Sequence, residues 1–304
     1  MSAAARRTNS RPPRGRLLWH PFVWLLALVV ILIVIFYGYH AGERVAPNHP
    51  AATQPATAPP TTTDAALNQI LSSWASQYSF SSSVDVIELT GSHRVASYNP
   101  ASSIVPASTY KIYVAYAILH GVEQGKYTLQ TTTSDGNTIQ TDLNNMILNS
   151  DNDAARTLGF LYGWQNIDAL LKTQGIDSTD LYNYVPPSTL PVGDKHTTAA
   201  DLALTLQKLY NGQLLNQVDT QLLLGLMERQ NYRQRIPAGV PSGITVADKP
   251  GWLSYADGDG ETAQNDAGVV YGPKSTYVLV ITTTGTSTSA VANLSTQVYN
   301  HLES

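Results

Sequence analysis

The sequence contains no cysteine and few charged residues. Without cysteine there is no disulfide, no thiolate nucleophile and no zinc site built on cysteine ligands. Charged residues make up 13% of the chain, against about a quarter in typical soluble domains, and so low a share suits an exported protein. The formal net charge of −4 provides no positive field for nucleic acid. We therefore expect no nucleic-acid partner.

Two further patterns are missing. The histidines show no ligand spacing, and the acidic run 257–261 lacks the glycine and the distal glutamate of a calcium loop, so it predicts a polar turn between strands. There is no Gly-x-Ser-x-Gly, which argues against an α/β-hydrolase. The sequence predicts neither a metal nor a cofactor.

The first 39 residues have the pattern of a membrane anchor. Residues 1–16 form a basic segment rich in arginine, and residues 17–39 are apolar apart from His20, Pro21 and Gly38. In a helix this run is about 35 Å long, enough to cross a bilayer. The arginines predict a cytoplasmic N-terminus, a single pass through the cell membrane and an extracellular remainder. A cleaved signal peptide is the alternative, but the run is long for one and no small-residue cleavage site follows closely.

The rest of the chain divides into a linker and a globular domain. Residues 40–64 are rich in proline, alanine and threonine and have little periodicity, as in a semi-extended tether. Residues 65–304 show the apolar periodicities of helices and strands. The linker would hold this domain away from the membrane.

The order of predicted elements in residues 65–304 indicates an α+β fold. A helix is followed by two strands joined as a hairpin, a buried helix ending at Gly121, a helical block over about 138–235, three strands and a last helix. This order predicts an α/β/α sandwich with a five-stranded antiparallel sheet and an all-helical lobe inserted between the two groups of strands.

Ser108 and Lys111 begin the apolar helix that follows residue 106. Residues three apart lie on one face of a helix, and a partly buried lysine with a depressed pKa can take the proton of a serine hydroxyl. The pattern therefore predicts a nucleophile and its base. The alternative is a helix-capping serine beside a surface lysine, but Lys111 precedes a run of core residues.

Ser150, Asp151 and Asn152 lie between two helical segments. A serine here can pass a proton between Lys111 and a leaving group, and Asn152 can hold both that lysine and a substrate amide. Serine, aspartate and asparagine are also the favoured residues at the start of a helix, so a simple cap is the alternative.

Lys249, Pro250, Gly251 and Trp252 end an apolar strand. Lys249 can supply a cation for a substrate carboxylate, and Gly251 allows a substrate backbone to lie close. The N–H groups of Trp252 and Ser108 can form an oxyanion hole. The alternative is a strand end followed by a turn.

Taken together, Ser-x-x-Lys, Ser-Asp-Asn and Lys-x-Gly, in this order, resemble the motif set of the penicillin-recognising serine enzymes, and in particular the class A β-lactamase-like branch. The resemblance covers roughly residues 65–304. It implies that Ser108 is the acylated nucleophile and Lys111 its activator. It also implies that Ser150 and Asn152 complete the proton network, that Lys249 meets the substrate carboxylate and that Trp252 N–H contributes to the oxyanion hole.

Three features depart from that branch. Class A enzymes deacylate with a glutamate on a loop, yet no glutamate occurs between residues 151 and 200, and the matching position falls near 183–185. Asp177 and Asp180 are acidic but lie upstream. Pro250 replaces the hydroxyl residue of the usual Lys-Thr-Gly, and the interval from Ser108 to Ser150 is short, which predicts a trimmed lobe and a more open cleft. Loss of a general base costs roughly 10²- to 10⁴-fold in rate, so we expect slow deacylation.

The leading hypothesis is a membrane-anchored serine hydrolase, acylated by β-lactams or related amides through Ser108. A D,D-carboxypeptidase or esterase acting on peptidoglycan peptides is the next, because the deacylating glutamate is missing. A non-catalytic wall-binding module on the same fold is the alternative from another class. A fluorescent penicillin separates the non-catalytic module from the enzymes, because only an enzyme forms the covalent adduct.

Overall fold

The computed structural model describes residues 61–182, 195–254, 262–285 and 287–304. The predicted basic segment 1–16, the anchor 17–39, most of the linker and the acidic run 257–261 lie outside these residues. Within the described ranges, no helix has the length and hydropathy needed to span a membrane.

One six-stranded sheet forms the centre of the domain. In chain order the strands are β1 (Thr62–Thr63), β2 (Ser82–Glu88), β3 (Arg94–Tyr98), β4 (Thr245–Leu253), β5 (Ala263–Tyr271) and β6 (Thr276–Thr283). Their order across the sheet is β1-β3-β2-β6-β5-β4. The five antiparallel strands of the prediction are β2–β6, so the predicted fold is confirmed. The additional β1 consists of two residues from the predicted linker and pairs parallel to β3.

Eight α-helices accompany the sheet in the described residues. They are α1 (Ala65–Ala75), α2 (Lys111–Glu123), α3 (Ile139–Leu148), α4 (Asn152–Tyr162), α5 (Trp164–Thr173), α6 (Ala199–Tyr210), α7 (Gln217–Glu228) and α8 (Thr288–Leu302). Each of six helices begins at a polar residue whose side chain accepts from a backbone N–H of the first turn, and these residues are Asp64, Thr138, Asp151, Thr198, Asn216 and Ser287.

Two apolar cores lie on the two faces of the sheet. One packs α1 and α8 against the sheet, with Trp74, Tyr277 and Leu294 fully buried. The other joins the opposite face to the helical lobe, and α2 runs through it with every residue from Lys111 to Leu119 buried. A helix that is apolar on all sides belongs in the interior, so α2 holds whatever lies at its first turn in a fixed place.

The prediction that the buried helix ends at Gly121 was wrong. Helix α2 continues to Glu123. A Cβ at position 121 would lie 2.2 Å from the hydroxyl oxygen of Tyr127. The glycine is therefore needed for the close approach of Tyr127 and does not mark the end of the helix.

Candidate active site

Ser108 lies on a short 3₁₀ turn, Ala107–Tyr110, that leads directly into α2. Ala107, just before it, has a φ of 46°, in the left-handed region that alanine rarely adopts. Asn265 on β5 holds this bend, because its amide nitrogen donates to the carbonyl oxygens of Val105 at 2.9 Å and Pro106 at 3.2 Å. The chain thus enters the turn in a strained conformation that two hydrogen bonds stabilise.

Lys111 is fully buried, and its ammonium nitrogen is surrounded by oxygen atoms. The nitrogen lies 3.1 Å from Ser108 Oγ, 2.6 Å from the carbonyl oxygen of Ser150, 3.3 Å from Ser150 Oγ and 2.8 Å from Asn152 Oδ1. Burial, followed by the positive charge of Lys249, lowers the pKa of Lys111 to about 7. The lysine is thus hydrogen-bonded to the predicted nucleophile and close to the pKa that a base needs at neutral pH.

Ser150 lies between the two lysines. Lys249 Nζ donates to Ser150 Oγ at 3.0 Å and to the carbonyl oxygen of Pro250 at 3.0 Å. The hydroxyl of Ser150 therefore links Lys111 to Lys249, and Ser150 holds this place with a φ of 56°. Its neighbour Asp151 caps α4. Both interpretations of the Ser-Asp-Asn pattern consequently apply, each to different residues: Asp151 caps the helix, while Ser150 and Asn152 contact Lys111.

Lys249 is also fully buried, beside two carboxyl groups. Burial lowers its pKa to about 7, and the charges of Asp248 and Asp266 oppose this shift. Asp248 forms an ion pair with Arg233, and Asp266 accepts a hydrogen bond from the backbone N–H of Ile236 at 3.0 Å. Burial raises the pKa of both acids. These acids favour the charged form of a lysine that burial would otherwise neutralise.

Gly251 brings strand β4 against the backbone of Ser108. A Cβ at position 251 would lie 2.6 Å from Ser108 N and 2.8 Å from Pro106 O and from Thr109 N. Only a residue without a side chain allows this approach. Pro250 is tolerated in β4 because β4 is the edge strand, where a missing N–H need not break a ladder of hydrogen bonds.

Comparisons with known proteins match the globular part of the chain. A family model described as "Beta-lactamase enzyme family" matches residues 64–302. The chain belongs to the β-lactamase enzyme family. The predicted family is therefore confirmed, and the protein is a β-lactamase-like enzyme of the serine acyl-enzyme type.

Solved structures share the fold of this β-lactamase-family enzyme. PBP-A is 23% identical with a TM-score of 0.72, over 81% of this chain and 99% of that chain. An ancestral class A β-lactamase is 24% identical with a TM-score of 0.68, over 77% and 99% of the two chains. A β-lactamase from Sphaerobacter thermophilus DSM 20745 is 21% identical with a TM-score of 0.67, over 77% and 97%.

In this β-lactamase-family enzyme, a cavity of about 410 Å³ opens over Ser108. Its lining also includes Trp252, Tyr110, Trp164, Lys195 and Arg156. The described residues that line it include no aspartate or glutamate. The loop that contains the class A glutamate corresponds here to residues near 183–185, which lie outside the described residues. Asp180, one of the two upstream acids, accepts a hydrogen bond from the N–H of Tyr182 at 3.0 Å.

Three residues beside the site had not been predicted from the sequence. Asn265 holds the bend before Ser108, as described above. The Nζ atom of Lys195 lies 4.8 Å from the ring centre of Trp164 and 5.3 Å from that of Tyr110, at the wall of the cavity. The guanidinium of Arg235 lies 5.2 Å from the ring centre of Trp252. None of the three belongs to a short motif, so the sequence offers no signal for them.

Proposed function

We propose that this protein is a membrane-anchored, outward-facing serine hydrolase. Its Ser108 is acylated by β-lactams or by related amides, and its acyl-enzyme is hydrolysed slowly. The observation that carries the proposal is the contact of 3.1 Å between Lys111 Nζ and Ser108 Oγ, made by a lysine that is fully buried. Burial lowers the pKa of the amine to about 7, so a large share of it is uncharged at neutral pH. The short contact allows the uncharged amine to take the proton of the hydroxyl.

In the acylation step, neutral Lys111 takes the proton of Ser108 as Oγ attacks the substrate carbonyl. The two shortest contacts of the amine, to Ser150 O and Asn152 Oδ1, use its own hydrogen atoms and leave its lone pair for Ser108. The developing oxyanion accepts hydrogen bonds from the N–H groups of Ser108 and Trp252. Gly251, next to Trp252, allows strand β4 to approach the N–H of Ser108.

The tetrahedral intermediate then loses its amide nitrogen. The C–N bond breaks, the ester to Ser108 remains, and the nitrogen takes a proton from Ser150 Oγ. That oxygen recovers a proton from Lys111 or Lys249, both of which contact it. Lys249 attracts the carboxylate that β-lactams and D-alanyl peptide ends both carry near the reacting carbonyl.

Slow deacylation is expected because the sequence lacks the glutamate with which class A enzymes hydrolyse the acyl-enzyme. Hydrolysis of the ester needs a base to activate water, and no glutamate occurs between residues 151 and 200. One PBP-A structure, that of a point mutant, is an acyl-enzyme complex with penicillin G. This likeness supports acylation of the present enzyme by penicillin. Because the deacylating glutamate is missing, D,D-carboxypeptidase or esterase activity on peptidoglycan peptides is the second candidate.

A fluorescent penicillin tests the proposal. We expect covalent labelling of the wild-type chain, no labelling of Ser108→Ala, and wild-type labelling of Ser92→Ala, an exposed serine in the β2–β3 turn. Intact mass measured over time should show an adduct that outlives that of a true class A enzyme by roughly 10²- to 10⁴-fold, the cost of losing a general base. Nitrocefin hydrolysis should be correspondingly slow.

Two results would contradict the proposal of a slowly hydrolysed acyl-enzyme. If no concentration of penicillin labels the wild-type chain, the non-catalytic wall-binding module becomes the better hypothesis. If nitrocefin is hydrolysed rapidly with no accumulating adduct, an unrecognised base completes the reaction.

The membrane anchor and the extracellular placement rest on the sequence of residues 1–39. After labelling of intact cells with the fluorescent penicillin, the full-length protein should sediment with membranes. A chain in which a cleavable export signal replaces residues 1–39 should instead be recovered in the soluble extracellular fraction. A wild-type protein found soluble and shortened by its N-terminal residues would instead support a cleaved signal peptide.

A further inference from the structure

A second cavity, of about 640 Å³, lies beside the segment that leads to Ser108. The ends of β2, β3, β5 and β6 and residues 102–105 form its walls. Its volume falls in the range of roughly 300–1,000 Å³ that is usual for small-molecule sites. The mechanism above assigns no chemical step to the side chains that line it, although one of them, Asn265, holds the bend before Ser108.

The lining of this cavity is neutral and rich in hydroxyl groups. Five serines, four threonines and one tyrosine are among its seventeen lining residues, so ten of them carry a hydroxyl. None is aspartate, glutamate, lysine or arginine, and the one titratable imidazole belongs to His196. Among the described lining residues a charged ligand would find no carboxylate, lysine or arginine as a counter-charge, whereas a ligand with many hydroxyl groups would find many partners.

Several of these hydroxyls form no hydrogen bond with any group in the described part of the chain. Ser82 is only 9% exposed, yet in the described part of the chain no group forms a hydrogen bond with its hydroxyl. The exposed Ser102 and Ser103 and the half-buried Tyr98 likewise form no side-chain hydrogen bond there. A hydroxyl without a protein partner binds water, and a hydroxyl group of a ligand can replace that water.

Aromatic side chains complete the lining. Phe80 lies at the wall and is held by Tyr78, whose ring stacks on it with a centroid distance of 4.7 Å, and by Trp74 at 5.9 Å. Tyr98 is a second aromatic residue in the same lining. A sugar ring has an apolar C–H face and hydroxyl groups at its edge, so an aromatic ring beside a row of serines and threonines matches both.

We propose that this cavity binds a neutral oligosaccharide. Its serine, threonine and tyrosine hydroxyls would bond the sugar hydroxyls, and Phe80 or Tyr98 would pack on a ring face. The proposal needs no reaction at Ser108, so Ser108→Ala should bind the sugar as well as the wild type does, even if the proposed acylation were wrong.

Isothermal titration with tetra-N-acetylchitotetraose and with maltotetraose tests the proposal. We expect the full-length wild type to bind at least one of them. Ser103→Trp, which places a large side chain in the cavity, should weaken binding by roughly tenfold or more, the usual effect of losing one well-packed contact. The matched control is Ser92→Trp, at an exposed serine outside the cavity, and it should bind as the wild type does.

Circular dichroism and thermal unfolding show whether each variant, including Ser108→Ala, is folded. If Ser103→Trp is not folded, Tyr98→Ala, which removes a ring without filling space, replaces it and should weaken binding in the same way. Tetragalacturonate, with a carboxylate on every ring, should not bind. The proposal is overturned if neither neutral sugar binds, if Tyr98→Ala and Ser103→Trp both bind as tightly as the wild type, or if the acidic sugar binds equally well.

Discussion

Replacement of Lys111 by methionine should slow the acylation of Ser108 by a β-lactam by roughly 10²- to 10⁴-fold. Methionine has nearly the length of lysine and fills the same buried space, but it cannot accept a proton. Among the described residues, the amine of Lys111 is the one side-chain group hydrogen-bonded to the Ser108 hydroxyl, at 3.1 Å. No other described side chain can therefore replace it as a base without a rearrangement of the site. The measurement is the rate of covalent labelling under single-turnover conditions.

The control is Lys172→Met, at an exposed lysine on α5, which should be acylated at the wild-type rate. Thermal unfolding separates loss of the base from loss of the fold. A buried ammonium is costly to keep out of water, so Lys111→Met should unfold at the same or a higher temperature than the wild type. Acylation of Lys111→Met at the wild-type rate would show that Lys111 is not the base that activates Ser108.

The pH profile of acylation provides an independent readout of the same base. The pKa of Lys111 is about 7, and only the neutral amine accepts a proton, so the wild-type rate should fall as pH decreases through 7. The pKa of Lys249 is also about 7, so above neutrality its attraction for a substrate carboxylate should weaken. The two lysines share Ser150, and the resulting optimum near neutrality belongs to the pair. Lys111→Met should lose the dependence on the acidic side.

The sequence alone was sufficient to predict contacts between residues that are close together in the chain. Ser108 and Lys111 are one helical turn apart, so their contact follows from helix geometry and from the apolar residues after Lys111. The caps of the helices follow in the same way from single polar residues. The five antiparallel strands were likewise visible as runs with the period of a strand, bounded by turns.

Contacts between residues far apart in the sequence were harder to predict. Ser150 and Lys249 are 99 positions apart, and their hydrogen bond could be anticipated only from the order of the three motifs and the family they resemble. Asn265 could not be predicted at all, because its role depends on the register of β5 against the bend before Ser108. The strand β1 has two residues, too few to show any period.

The environment of Lys249 also differs from what its position suggests. The strand that carries it is the edge strand of the sheet, and an edge commonly leaves a lysine exposed. In the structure Lys249 is instead fully buried, between Ser150 and the acids Asp248 and Asp266. Burial there depends on the helical lobe and on β5 together, so the strand's own sequence contains no signal for it.

Replacement of Gly251 by alanine should reduce acylation by roughly 10²- to 10³-fold, the usual effect of losing an oxyanion donor. The added Cβ would meet Ser108 N at 2.6 Å, and both that atom and its other neighbours, Pro106 O and Thr109 N, belong to the backbone. These atoms cannot rotate away, so β4 and the turn at Ser108 must separate. The N–H groups of Ser108 and Trp252 would then no longer point at one oxygen. Overpacking of this kind should also lower the free energy of unfolding by about 1–3 kcal/mol.

Gly225→Ala is the matched control for this substitution. Gly225 lies inside α7, and the one neighbour of its added Cβ is the flexible end of Arg229, at 3.4 Å. Alanine is favoured over glycine within a helix, so this variant should be more stable by roughly 0.5–1 kcal/mol and should be acylated normally. Rates measured well below both unfolding temperatures distinguish a displaced oxyanion hole from an unfolded chain. If Gly251→Ala is acylated as fast as the wild type, the backbone contact between β4 and Ser108 does not form the oxyanion hole, and the stabilising donors must lie elsewhere in the cleft.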